Sequence, residues 1–241
     1  MAIEYRIILD DEHEFSYRIE PDRAFDHEAA RQAPKWTRLD HQQCNNCPLN
    51  RDQFSHCPAA VDLHQVIEDF QGLPAIRKAH VHVRTPEREY NKLVGLEEGL
   101  RALLGVIMAT SACPVLGRLK PMAHQHLPFA SNQEFVLRAV SLYLAQQYFN
   151  LREGRHADWE LRGLVRSFQQ LQLVNQAFWQ RIHDTCHADS NLKAFLTFFD
   201  MCPARIVNGE VATFATGIKT YEYVAAVFER AGGIAGVVPI R

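Results

Sequence analysis

Near the start of the chain, Tyr5 to Leu9 and Phe15 to Ile19 alternate polar and apolar positions and are joined across Asp10, Asp11 and Glu12. That period of two, in segments rich in β-formers, predicts a β-hairpin. The stretch from Ala24 to Asn50 is polar and punctuated by Pro34, Asn45, Asn46 and Pro48, and reads as irregular. After Pro58 the apolar residues Val61, Leu63, Val66, Ile67 and Phe70 recur every three to four positions, which predicts a short helix. "AHVHVRT" returns to alternation, with Val81 and Val83 on one side and His80 and His82 on the other, as on a half-buried strand. The charged run "RTPEREY" then reads as a solvated turn and strand edge.

From Leu93 the pattern is helical. Leu96, Leu100, Leu103, Leu104 and Ile107 make one apolar face that ends near "ATSACP". Further helices are predicted over Asn132 to Asn150, capped by Ser131 or Asn132, and over Asp158 to about Asp184. In the second, Leu161, Val165, Phe168, Leu171, Val174, Phe178 and Ile182 form the stripe. Another is predicted from Ser190 to about Met201, and the tail reads as a short strand, a helix around Tyr221 to Arg230 and a glycine-rich end. The expected fold class is α+β. Residues 1–92 would form a β and cysteine-rich front half and residues 93–241 a helical body, packed together as one globular unit.

Composition narrows the setting. The 241 residues, 47% hydrophobic and 22% charged, suit a folded globular chain with a substantial core. A formal charge of −2 gives no bulk attraction for nucleic acid or anionic lipid, so neither is an expected partner. The N-terminus lacks a basic region followed by an apolar one, and no uninterrupted apolar run reaches the roughly 18 to 20 residues of a membrane span. The expected location is therefore a reducing cytoplasm, where clustered cysteines serve more often as metal ligands or redox thiols than as disulfides.

Three of the six cysteines lie within "HQQCNNCPLNRDQFSHCPAA", as Cys44, Cys47 and Cys57. C-x2-C aims two sulfurs at one ion from a tight loop, and the third cysteine returns after a short excursion. Such an arrangement suits thiolate coordination of zinc or of an iron–sulfur cluster. Cys113, at the end of an apolar helix, is the first choice for the fourth ligand, with His126, His41 and His56 in reserve. Cys47, Cys57, Cys113 and Cys202 each precede a proline, which fixes its own φ and helps hold a ligand loop rigid. The competing readings are a redox dithiol and unliganded thiols. Cys186 and Cys202, among Ile182, Phe195 and Phe199, read as small apolar fillers.

The histidines offer a different chemistry. His80 with His82, and His124 with His126, are H-x-H pairs that could build a nitrogen-rich metal site and hence a metalloenzyme. No carboxylate is spaced as a third ligand beside either pair, so a solvent-facing strand and a loop are preferred. The chain carries no G-x-G-x-x-G, G-x4-G-K-[ST], G-x-S-x-G or H-E-x-x-H motif, and no catalytic residue is assigned.

Taken together, "HQQCNNCPL", "HCPAA", "TPEREY", "EGLRALLGVIMATSACP", "LKPMAHQHLPFAS" and "SLYLAQQYF" resemble an uncharacterised bacterial family, a domain of unknown function, over roughly His41 to Ala204. In that resemblance Cys44, Cys47, Cys57, Cys113 and His126 fall on recurring positions, whereas His124 does not. It implies Cys113 as fourth ligand, with His126 next, and no established activity. The expectation is a structural zinc site on Cys44, Cys47, Cys57 and Cys113 in a scaffold or binding module for a protein partner or small molecule. The rival is an iron–sulfur redox or sensing protein on the same cysteines.

Overall fold

The computed structural model describes residues 2–10, 13–185 and 194. Its architecture is α+β. Strands β1 (Ile3–Asp10), β2 (His13–Ile19), β3 (Lys78–Arg84) and β4 (Glu89–Gly95) form one sheet in the order β2-β1-β3-β4, with every neighbouring pair antiparallel. The predicted hairpin is therefore half of the sheet. β4 was legible only as a strand edge, because Glu89, Asn91, Lys92 and Leu93 are all exposed and Val94 alone is buried along it.

Alternation decides the two faces. Ile3, Tyr5 and Ile7 of β1 share a buried face with Ala79, Val81 and Val83 of β3, while Arg6, Glu14, Arg18 and Arg84 face water. Along the register Tyr5 stands between Tyr17 and Val83, and Ile7 between Phe15 and Val81. Cross-strand pairs of this kind hold the register, since a one-residue slip would turn each apolar set to solvent.

Six helices are described: α1 (His27–Gln32), α2 (Pro58–Phe70), α3 (Leu96–Thr110), α4 (Lys120–His124), α5 (Asn132–Arg152) and α6 (Arg162–His183). α2 buries Val61, Leu63, Val66, Ile67 and Phe70, the residues whose spacing predicts it. At its end Phe70 packs on Phe15, with ring centroids 4.5 Å apart, and Tyr17 donates a 2.6 Å hydrogen bond to Asp69. α3 lies against the sheet so closely that a Cβ on Gly99 would come within 2.8 Å of Val81 Cγ2. It begins at Leu96 rather than Leu93, because β4 continues to Gly95. α5 starts on a capping box between Ser131 and Glu134.

The polar stretch from Ala24 to Asn50 is less irregular than its composition predicts. Asp26 caps α1 by accepting from the backbone of Glu28 and Ala29, and Lys35–Thr37 form a 3₁₀ turn. α6 starts at Arg162, four residues later than Asp158, since Leu161 adopts a left-handed conformation at φ 60°. Its inward stripe is Leu164, Phe168, Leu171, Val174, Phe178 and Ile182, so Leu164 takes the buried place expected for Val165. The predicted strand, helix and glycine-rich end of the tail lie outside the described residues, as do Cys186 and Cys202. Of the helix predicted from Ser190 to about Met201, only Ala194 is described.

Candidate metal centre

Residues 38–56 form an excursion closed at its base. Leu39 N–H donates to Ser55 O at 3.0 Å, Cys57 N–H donates to Thr37 O at 2.8 Å, and Arg38 bridges His56. Within it, Cys47 N–H reaches back to Cys44 O at 3.0 Å, making the tight turn that the C-x2-C spacing requires. Cys57 ends the excursion and is also the N-cap of α2, with Pro58 in the first helical position. Cys113 follows α3, and its carbonyl accepts from Gly117 N–H at 2.8 Å at the entry to the 3₁₀ turn Leu116–Leu119.

These four side chains lie within electrostatic range of one another. Every pairing among Cys44, Cys47, Cys57 and Cys113 carries an electrostatic interaction, and all four are free thiols. Cys57 and Cys113 are buried, and Cys44 and Cys47 partly so. Burial, followed by repulsion among the prospective thiolates, pushes the Cys44 thiol up to about 12. Burial likewise raises Cys113 to about 11 and also raises Cys57.

Opposing donors surround the sulfurs. The backbone N–H groups of Ala59 and Ala60 are directed at Cys57, and those of Val115 and Leu116 at Cys113. Both sets belong to residues two and three places after the cysteine of a Cys-Pro dipeptide. Proline starts a helical turn, and the N–H groups that such a turn leaves unpaired are available to the preceding sulfur. The recurrence of Cys-Pro is thus explained locally at two of its four occurrences.

The sequence did not single out Arg181. Its side chain is only 1% exposed, and its guanidinium donates from Nη1 to Trp36 O at 2.5 Å and Arg38 O at 2.7 Å, and from Nη2 to Gln42 O at 3.5 Å. It interacts electrostatically with Cys57, Cys44 and Cys47. Asp40, which also influences it, is itself engaged with Arg38 at 3.0 and 3.1 Å. α6 and its end hold the excursion at two other points, through Asn46 Nδ2 to Gln170 O at 2.9 Å and Gln42 Nε2 to Asp184 Oδ2 at 2.8 Å. The available signal was a cation inside an apolar stripe, three residues after Phe178 and beside Ile182.

The reserve histidines occupy other settings. His56 Nδ1 pairs with Ser55 Oγ at 2.8 Å, and His41 lies 4.0 Å from Asp184. His126 Nε2 lies 2.5 Å from the Tyr5 hydroxyl, and burial lowers its pKa to about 3. His80 is exposed and His82 half-buried on β3, on the face opposite Val81 and Val83, while His124 lies 3.5 Å from Asp22. The two H-x-H pairs therefore sit in unrelated surroundings. Among the described residues, no group of three or more His, Cys, Asp or Glu side chains is placed to hold a metal ion. None of the described helices is long and apolar enough to cross a membrane.

The chain matches no curated protein and no solved structure. A family model does match, and it extends beyond His41 to Ala204 on both sides, including the sheet at one end and part of the C-terminal tail at the other. Over residues 3–220 the chain belongs to the family described as a domain of unknown function, DUF6901.

Proposed function

We propose that Cys44, Cys47, Cys57 and Cys113 hold one structural metal centre, with zinc as the ion, and that the chain acts as a scaffold or partner-binding module. The observation that carries this reading is Arg181, a buried guanidinium facing three of the four cysteines, Cys44, Cys47 and Cys57. A buried cation is costly unless an anion accompanies it, and neutral thiols do not provide one. Ionising the thiols without a metal is opposed by their own burial and mutual repulsion. A divalent ion bound by four thiolates removes the conflict, because thiolate formation is driven by the metal and the site keeps a net negative charge facing Arg181. The N–H donors from Ala59, Ala60, Val115 and Leu116 fit the same charge state. Such a site has no open position for substrate, and its binding energy contributes to folding.

A second reading places an iron–sulfur cluster on the same cysteines. It draws on the Cys-Pro dipeptides at Cys47, Cys57 and Cys113, since Cys-Pro also closes the ligand run of bacterial ferredoxins. Zinc–sulfur bonds are about 2.3 Å, whereas sulfurs bound around a four-iron cluster stand further apart. Metal analysis together with the visible spectrum of anaerobically purified protein separates the readings. One zinc per chain with no visible absorption supports the first; iron with inorganic sulfide and a visible charge-transfer band supports the second.

A further inference from the structure

A separate cavity of about 100 Å³ lies between α3, α4 with the segment that follows it, and the start of α5. Ala102, Val106, Phe129 and Phe135 are among its apolar walls, and Arg101 and Arg138 also line it. No described acidic residue does so. Arg138 spends Nη2 on Met122 O at 2.8 Å and Gln125 O at 2.5 Å, which fixes the guanidinium beside the cavity while leaving other N–H groups for a ligand. Glu134, the nearest acid along its helix, is committed to the backbone and hydroxyl of Ser131 at 2.8 and 2.9 Å. His126 also lines the cavity, with Nε2 occupied by Tyr5.

We propose that this cavity binds a short-chain monocarboxylate, its alkyl chain between the apolar walls and its carboxylate on Arg101 and Arg138. The walls reward an alkyl group, and an anion is favoured by two arginines in a lining without a described carboxylate. Size limits the chain. An apolar cavity of about 150 Å³ holds benzene, so the space here suits on the order of four to six carbons. The inference is independent of the cysteine site and survives whichever metal occupies it.

Calorimetric titration of the full chain with hexanoate, 1-hexanol and hexylamine tests the assignment. Hexanoate should bind, 1-hexanol more weakly, and hexylamine not at all. Arg101→Gln should weaken hexanoate on the order of tenfold, the loss of one charge-assisted contact, without changing thermal stability in the absence of ligand. Ala102→Phe should abolish binding by filling the cavity. Absence of hexanoate binding by the wild-type chain would overturn the proposal. So would 1-hexanol or hexylamine binding as tightly as hexanoate, or Arg101→Gln retaining wild-type affinity. If Ala102→Phe fails to fold, the Arg101→Gln comparison alone decides.

Discussion

Arg181 is the residue whose loss should separate charge from connectivity at the cysteine site. Its N–H groups hold the carbonyls of Trp36, Arg38 and Gln42, and its charge faces Cys57, Cys44 and Cys47. Arg181→Gln keeps some hydrogen-bonding capacity and removes the charge, and is expected to cost about 2 to 4 kcal/mol in denaturant unfolding. It should also lower bound metal while leaving the sheet intact. Replacing any one of Cys44, Cys47 or Cys57 by serine should lower metal content and increase protease cleavage between Trp36 and Leu63, since under the proposed coordination each would supply one thiolate to a shared sphere. A variant with full metal and wild-type resistance would remove that residue from the ligand set.

His126 makes a pH-dependent contribution whose sign follows from its burial. Its folded-state pKa of about 3 is below the ordinary value of 6.5, so the unfolded chain binds the proton more readily. The stabilisation is complete above about 6.5 and is lost as pH falls from there toward 3. His126→Gln cannot titrate, so its stability should change less than that of the wild-type chain between pH 7 and pH 5. Equal losses measured by denaturant unfolding at the two pH values would contradict the assignment.

Among the elements, α3 is the most tightly determined. Gly99 admits it to within contact of Val81, and Leu96, Leu100, Leu103 and Leu104 are all buried. Gly99→Leu should therefore destabilise by about 1 to 3 kcal/mol through overpacking, and the double variant with Val81→Ala should recover part of that loss. In α6, Phe168 is 3% exposed and lies 6.0 Å from the Phe135 ring. Phe168→Ala should cost about 3 to 5 kcal/mol as a cavity mutation without changing metal content. Thermal unfolding close to wild type would show that this face of α6 does not support the core.

The elements also explain what a sequence reveals. α2 and the hairpin strands bury one face, so their periodicity was readable. β4 is an edge strand with little buried surface, and its pairing with β3 leaves only a weak alternating signal. α1 depends on the Asp26 cap and buries only Ala30, too little to mark six residues as helical within a polar stretch. The start of α6 was misplaced because the left-handed turn at Leu161 occurs at a residue with no intrinsic preference for it.

Across the whole molecule, the cysteine site connects elements distant in sequence: the excursion after the Lys35–Thr37 turn, the start of α2, the end of α3, and α6 through Arg181. The spacing of Cys44, Cys47 and Cys57, and the place of Cys113 after an apolar helix, pointed to four thiols that the fold sets within electrostatic range of one another. The role of Arg181 was not, because a single-residue pattern cannot show which carbonyls and thiols lie opposite a helix face. The buried core likewise runs through β1, α2, α3, α5 and α6, so if the proposed metal is bound, its removal is expected to weaken the body as well as the excursion.

The proposed site has four thiolates holding one metal centre. It is tested most directly by metal and inorganic-sulfide content per chain in anaerobically purified, folded full-length protein. A stoichiometric centre is expected: one zinc without sulfide, or iron with matching sulfide if a cluster occupies the site. A folded chain with no stoichiometric metal would contradict it.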